Sequence, residues 1–301
     1  MVPNYEILSG CCMKQMCLLG EGTVNLTVTS PPYFQQKDYG HDLQIGWENS
    51  LGEYLSKMRR VLDSLYRLTA PTGSAFIVVG DSYAEGTMQL VPQRLACLAA
   101  DCGWLVRNDL IWLKTDAAPG RGPNRWRLTH EHILFLVKSL QGYVFHEKAI
   151  RKPYSEATLK RWGNGQRYGG PKAKTLPGLS DKKNKGKGNR FPVGKSFRLN
   201  PDGTLPSDVI QCPSGRTPLD HYATFPSALI ESFVLAASDE GALVFDPFAG
   251  TGTTGEVAIR HGRRFLGIEL SDHYAEIARG RLAAVVCSQP EPPLGESATR
   301  T

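Results

Sequence analysis

The chain has 301 residues, 41% hydrophobic and 21% charged, which is the composition of a folded globular protein and excludes a disordered one. No apolar run reaches the roughly 18–20 residues of a membrane span, and the start, "MVPNYEILSG", lacks a basic-then-apolar leader, so a cytoplasmic protein is expected. Seven cysteines, with none in a Cys-x-x-Cys pair, fit a reduced protein without structural zinc. The formal net charge is +6, unevenly placed. Residues 146–200 hold 15 Lys/Arg against three acids, whereas the remainder holds 20 against 26. A basic field confined to one segment suits a polyanion, with nucleic acid first among candidates. A solvated basic loop is the plainer reading of the same tract.

In chain order, "TVNLTVTS" (23–30) is rich in β-branched residues and stops at a Pro pair, predicting a buried strand. In "SLGEYLSKMRRVLDSLYRLTA" (50–70), Leu51, Tyr54, Leu55, Met58, Val61, Leu62 and Leu65 recur at helical spacing. Ser50 stands at the cap, with Glu53 in capping-box position. "PTG" then turns the chain into the apolar strand "SAFIVVGD" (74–81). "QLVPQRLACLAADCG" (89–103) predicts a helix opened near Pro92 and stopped at Gly103. "WLVRNDLIWLK" and "HILFLVKS" read as two further strands, and the alternation points to an α/β sheet.

Residues 146–220 break that rhythm with Gly, Pro and Lys, as in "DKKNKGKGNRFPVGK". Trp162, Tyr168, Phe191 and Phe197 are interleaved with the charges. Cations for phosphates and aromatics for bases make this a candidate nucleic-acid surface, centred on Lys182, Lys183, Lys185, Lys187 and Arg190. Order returns with an amphipathic helix in "HYATFPSALIESFVLAAS" (221–238). "GALVFDPFAGTGTTGEVAIRHG" and "RRFLGIELSDHYAEIARGRLAAV" follow, reading as strand, Gly loop, helix, strand, helix. The expected organisation is 1–145 and 221–287 as two halves of one α/β domain, 146–220 as a basic insert, and 288–301 as a loose tail.

Two constellations carry chemistry. Gly250-Thr251-Gly252 sits directly between a strand and a helix, where glycine permits a sharp turn and close ligand approach. Glu269 ends the next strand, 17 residues after Gly252, where a carboxylate can accept from the hydroxyls of a ribose. No lysine follows the glycines, which disfavours a phosphate-gripping loop. Asp246 and Phe248 add an acid and an aromatic, a set suited to a cationic adenosine ligand; a ligand-free tight turn is the bland alternative.

The second constellation is Ser30-Pro31-Pro32-Tyr33. With "DPFAGTGTT", "GIEL" and the Phe-Pro of "HYATFPSALI", the tetrapeptide makes the chain resemble the S-adenosylmethionine-dependent amino-methyltransferases of DNA, over about 1–145 and 221–285. The catalytic motif precedes the cofactor loop, as in the β group of that family. The resemblance implies a Rossmann-like, mostly parallel twisted sheet with helices on both faces, read from a permuted start. It implies cofactor contacts from Phe225, Pro226, Thr253 and Thr254 besides Asp246, Phe248, Gly250, Gly252 and Glu269. It also implies double-stranded DNA as partner, with a cognate restriction endonuclease as a further one. One departure is plain: "LSGCCMKQM" places Cys11 where family members often carry an acid.

The amino group of a base is a poor nucleophile because its lone pair is spread into the ring. Acceptors aimed at its hydrogens favour a pyramidal nitrogen and take up developing positive charge, a task suited to Ser30 Oγ and the Pro31 carbonyl. Proline fixes φ and so holds them in place, and Tyr33 can stack on a base flipped out of the helix. Transfer is then a direct in-line displacement that asks for no metal and no covalent enzyme intermediate. Serine at the first position resembles the N4-cytosine members, and N6-adenine methylation is the alternative. A non-catalytic DNA-binding module and a protein-glutamine methyltransferase are the competing classes. Cys212 in "QCPS" reverses the Pro-Cys order of carbon-5 methylation and reads as structural. His130 and His132 are poorly placed for one metal site. His130-Glu131 reads as structural or pocket-lining, and resembles a segment the family sets beside its pocket.

Overall fold

A computed structural model describes residues 4–117, 124–162, 199–214 and 225–288. They form β1 (Tyr5–Ser9), α1 (Cys12–Leu18), β2 (Val24–Thr29), α2 (Leu51–Leu68), β3 (Thr69–Val79), β4 (Tyr83–Ala84), β5 (Thr87–Met88), α3 (Val91–Asp101), β6 (Leu105–Lys114) and β7 (His130–Val137). There follow α4 (Glu147–Ile150), α5 (Glu156–Trp162), β8 (Val209–Cys212), α6 (Ser227–Ala237), β9 (Leu243–Asp246), α7 (Thr253–Arg260), β10 (Arg264–Glu269) and α8 (Asp272–Ser288). Among these, no helix is long and apolar enough to cross a membrane.

Eight strands make one sheet in the order β1-β10-β9-β2-β3-β7-β6-β8, and β4 and β5 form a small hairpin. Every pairing in the large sheet is parallel except the two made by β7, which runs against β3 and β6. The expected Rossmann-like α/β sheet is therefore present. Its motif order is permuted: β2 with its Pro-Pro corner precedes β9 with the glycine loop in the chain, yet the two lie side by side.

The strand sequences explain the two-sided burial. In β3, Phe76 and Val78 pack toward α6, α7 and α8, while Ala75, Ile77 and Val79 pack toward α1, α2 and α3. A parallel strand covered on both faces needs such a continuous apolar run. Helix α2 buries Tyr54, Met58, Val61, Leu62, Leu65 and Leu68. Ser50 caps it by accepting the Glu53 amide at 3.2 Å, the first half of the expected capping box. Burial of each large apolar side chain contributes about 1.5–3 kcal/mol, so this stripe anchors α2 to the sheet.

Four features depart from the sequence reading. β1 and α1 at the start are additional elements; β1 is short and only Ile7 is buried in it, so its pattern is weak. The Pro71-Thr72-Gly73 turn lies inside β3 and not before it: Val24 pairs Thr69 and Leu26 pairs Ser74, so the chain bulges out between these points. Helix α6 is nearly submerged, with only Ala228 and Glu231 exposed, because it lies between the sheet and α7. Finally, β8 lies inside the stretch expected as insert, 146–220. Its four residues pair with Ile111–Lys114, so part of that stretch belongs to the main sheet. Buried Cys212 ends β8, and its carbonyl accepts the Trp112 indole N–H at 2.9 Å, a structural role as expected.

The chain divides into Met1–Ala149 with Ser207–Thr301, and Ile150–Pro206. Within the second unit, a bridge joins Lys152 and Thr204, and the Arg151 guanidinium donates to the Gly203 carbonyl at 2.7 Å. The expected DNA contacts Lys182, Lys183, Lys185, Lys187 and Arg190, and the expected tail past Ser288, lie outside the described residues.

Candidate active site

The sheet turns its order around between β9 and β2. The chain runs from β9 outward to β10 on one side and from β2 outward to β3 on the other. In open α/β sheets a ligand crevice forms outside the strand C-termini at such a point. Here those C-termini carry Ser30–Tyr33 after β2 and Pro247–Gly252 after β9. A cavity of about 910 Å³ opens there, within the range of small-molecule sites.

Asp246 joins the two motifs. Its Oδ1 accepts from Thr29 Oγ1 at 2.6 Å and from the Phe248 amide at 3.0 Å, and its Oδ2 accepts from Thr254 Oγ1 at 2.7 Å. Burial pushes its carboxyl up to about 6, against the lowering effect of these bonds. A buried carboxylate facing a cavity is a strong attractor for a cation. Thr29 lies one residue before Ser30, so this clip sets the Pro-Pro corner against the glycine loop.

The glycine loop shows two uses of glycine. Gly250 has φ +53°, and a β-carbon there would meet nothing within 4 Å, leaving the backbone open to the cavity. Gly252 has φ +84° and caps α7, but its α-carbon faces Ala278 of α8, where an added β-carbon would lie 3.2 Å from the Ala278 methyl. Gly252 therefore serves helix packing. Glu269 is held from both sides: Oε2 accepts the Gly250 amide at 2.8 Å and Oε1 the Ser271 amide at 2.9 Å. Burial raises its pKa and these backbone bonds oppose the rise. Each oxygen keeps a lone pair for a further donor.

Phe225, Phe248, Thr253 and Thr254 also line the cavity, with Asp246, Gly250 and Glu269. Pro226 does not; it caps α6 just behind Phe225. Cys11 and Cys12 at the start of α1 line it too, so the departure at Cys11 falls inside the site. Burial pushes the Cys12 thiol up to about 12, which keeps it protonated and unreactive.

All four residues of Ser30–Tyr33 line the same cavity. The Pro32 carbonyl accepts the Tyr54 hydroxyl at 3.1 Å. Among the described residues the Pro31 carbonyl has no such donor, and Pro31 lines the cavity. Tyr33 is built in more firmly than expected of a ring that only stacks. Its ring lies against Gly80, where a β-carbon would come within 2.8 Å of Tyr33 Cε2. Its hydroxyl accepts from Ser30 Oγ at 3.2 Å and donates to Glu131 Oε2 at 2.7 Å. Burial, with Glu131 beside it, pushes the phenol far above its ordinary value, so it stays protonated.

Glu131 reaches this place because β7 is reversed. Its neighbours bring their ends to the edge that carries the Pro-Pro corner, and β7 brings its beginning. There Glu131 forms an ion pair with Lys114 at the end of β6. His132 turns to Asp109, with Nδ1 at 2.9 Å from Oδ1, and its ring meets that of His130 edge to face at 5.3 Å. No group of three or more His, Cys, Asp or Glu placed to hold a metal ion occurs among the described residues.

Sequence reasoning missed the loop from Gln35 to Gly46. Its ends close through the Gln35 amide on the Gly46 carbonyl at 2.6 Å. Inside, Asp38 Oδ1 accepts from the Gly40 amide and Gln44 Nε2, both at 2.8 Å, and Gln44 Oε1 accepts the Tyr39 amide at 2.7 Å. Residues Gln36–Gly40 of this braced loop form one wall of the cavity. Its polar sequence directly after the Pro-Pro corner is the one signal that could have found it.

The DNA methylase family model (N6_N4_Mtase) matches residues 24–280. Type II methyltransferase M.SmaI of Serratia marcescens is 28% identical over 308 residues, covering 93% of this chain and 91% of the relative. Type II methyltransferase M.SfiI of Streptomyces fimbriatus is 25% identical over 377 residues, covering 90% and 89%. Among solved structures, TTHA0409 of Thermus thermophilus in complex with S-adenosyl-L-methionine is similar with TM-score 0.61 and 25% identity, covering 95% of this chain and 96% of that one. The cytosine-N4-specific PvuII DNA methyltransferase shares the fold, with TM-score 0.61 at 17% identity over 95% and 91% of the two chains. By a match that spans most of its length, the chain belongs to the N6/N4 DNA methylase family.

Proposed function

We propose that this DNA methyltransferase transfers a methyl group from S-adenosylmethionine to the exocyclic N4 amino group of cytosine, in a base flipped out of duplex DNA. The reading rests above all on one observation: Ser30 and Pro31 line a single cavity with Asp246, Gly250 and Glu269.

The residues present fit the cofactor. Glu269 has lone pairs left for ribose hydroxyls, the open backbone at Gly250 admits close approach, Phe248 offers an aromatic surface, and the Asp246 carboxylate complements positive charge. When bound, S-adenosylmethionine supplies an electrophilic methyl group. The chain's own residues do the rest. Pro31 and Pro32 hold the corner rigid. Ser30 Oγ and the Pro31 carbonyl accept from the two amino hydrogens, localise the nitrogen lone pair, and stabilise the positive charge that grows on it. The hydrophobic rims at Phe225, Phe248 and Tyr33 exclude water from the reacting groups.

Serine at position 30 favours cytosine over adenine, following the resemblance. Names of relatives such as M.SmaI support a restriction-modification setting, with a cognate endonuclease as partner. Lys182, Lys183, Lys185, Lys187 and Arg190 are the proposed phosphate contacts, and neutralising them should flatten the salt dependence of DNA affinity.

The base is tested by incubating the chain with unmethylated genomic DNA and labelled cofactor, digesting to nucleosides and identifying the product by mass. N4-methylcytosine supports the proposal. N6-methyladenine alone moves the target to adenine.

A further inference from the structure

The cofactor cavity and the Pro-Pro corner leave one group unexplained. Glu131 is 13% exposed at its side chain and lies 98 residues from Tyr33 in the chain, yet it bonds the Tyr33 hydroxyl at 2.7 Å. We infer that Glu131, held by Lys114, is a positioning residue that fixes the hydrogen-bond polarity of Ser30 through Tyr33.

The inference follows from counting hydrogens. A carboxylate paired with an ammonium group can only accept. Tyr33 has one hydroxyl hydrogen, and the 2.7 Å bond to Glu131 consumes it. The Tyr33 oxygen can then only accept along its 3.2 Å contact with Ser30, so the Ser30 hydrogen points at Tyr33. Ser30 Oγ is left presenting lone pairs alone to the cavity. That is the state an acceptor for an amino group must have. A serine free to rotate would spend part of its time presenting its hydrogen, which repels the amino hydrogens.

The surrounding packing supports a fixed chain. The Tyr33 ring is pressed against Gly80, and Glu131 Cγ would lie 3.5 Å from a β-carbon at Gly80. Lys114 also sits over the Trp112 ring at 4.7 Å, which holds the ammonium in place. Ser30 and Glu131 thus meet at the Tyr33 hydroxyl, with Lys114 held behind Glu131.

The inference rests on the amino-transfer reading above, and the test separates the two. Glu131→Gln, Tyr33→Phe and the double variant are assayed on unmethylated genomic DNA with labelled cofactor, alongside Ser30→Ala and Lys114→Met. A glutamine can donate to Tyr33, turn its hydrogen toward Ser30 and reverse the chain. We expect Glu131→Gln to lower kcat by roughly a hundredfold, with KM for cofactor and DNA nearly unchanged. Tyr33→Phe should give a smaller loss, and the double variant should be no worse than Glu131→Gln, because the chain is already broken. Lys114→Met leaves an acceptor at position 131 and should cost less than Glu131→Gln.

Losses that multiply in the double variant, or a wild-type kcat in Glu131→Gln, would overturn the inference. Should Glu131→Gln fail to fold, Tyr33→Phe decides, since it keeps the ring; a wild-type kcat there overturns the inference equally. An unmutated chain that transfers nothing to a base amino group refutes the underlying reading. An active chain silenced by Ser30→Ala but indifferent to Glu131→Gln refutes the inference alone.

Discussion

The two rims of the cavity are built in different ways. On the cofactor side, most of the polar contacts fall within one strand–helix–strand stretch, residues 246–271. Glu269 is fixed by Gly250 and Ser271, and Asp246 by Phe248 and Thr254. On the target side, the groups are held from far away. Tyr33 depends on Glu131, 98 residues away. Thr29, bonded to Asp246, ties one rim to the other. A locally wired site survives as a motif, whereas a tertiary one exists only once the sheet has formed.

The largest effect expected from this contrast is on chemistry without binding. Ser30→Ala should lower kcat by roughly a thousandfold, since an acceptor for charge developing in the transition state is lost. Cofactor affinity measured by calorimetry should stay within about twofold of the unmutated chain, because Ser30 belongs to the other rim. A large loss of cofactor affinity would erase the distinction between the rims.

The converse comes next. Glu269→Ala should weaken cofactor binding by about a hundredfold, the order expected for losing charge-assisted bonds to a ligand. It should leave the Tyr33 chain intact, so kcat at saturating cofactor should fall far less. A kcat loss as large as that of Ser30→Ala would show that the rims are not separable.

A smaller effect is set by pH. Burial pushes the Asp246 carboxyl up to about 6, above its ordinary value of 3.8. A cation favours the carboxylate, so protonation opposes binding. Cofactor affinity should therefore be steady above about pH 7 and fall about tenfold by about pH 5, where most Asp246 is neutral. The raised pKa of Glu269 acts in the same sense. The linkage to stability has the opposite sign: the folded state holds this proton more tightly, so Asp246 is most favourable below about pH 4 and loses that advantage as pH rises to about 6. Asp246→Asn should flatten both curves. An unchanged pH profile in that variant would show that Asp246 does not face the cofactor.

The smallest effect concerns Gly80. An alanine there would press on Tyr33 Cε2, costing roughly 1–3 kcal/mol in stability and a few-fold in kcat. Thermal melting and turnover measured together check this. A stable variant with full turnover would show that the Tyr33 ring can move without consequence.

The same contrast explains what is legible in the sequence. "DPFAGTGTT" and Glu269 can be read because a strand, a turn with positive φ and an acid at the next strand's end leave contiguous marks. "TSPPY" can be read as rigid acceptors because proline fixes its own backbone. The neighbour relation of β2 and β9 cannot be derived from spacing, since 217 residues separate Thr29 from Asp246. Glu131 can be placed near the pocket but not on Tyr33, because its role depends on β7 running backwards. A reversed strand has the same alternation as a parallel one. The wall formed by Gln35–Gly46 is held by side chains that cap their own loop, and such bonds leave only a polar composition behind.

The most direct test of the central claim is methyl transfer from labelled S-adenosylmethionine to unmethylated DNA by the unmutated chain and by Ser30→Ala, with nucleosides resolved by mass. The predicted result is N4-methylcytosine from the unmutated chain and roughly a thousandfold less from the variant. Label confined to carbon 5 of cytosine, or equal amounts from both proteins, would contradict it.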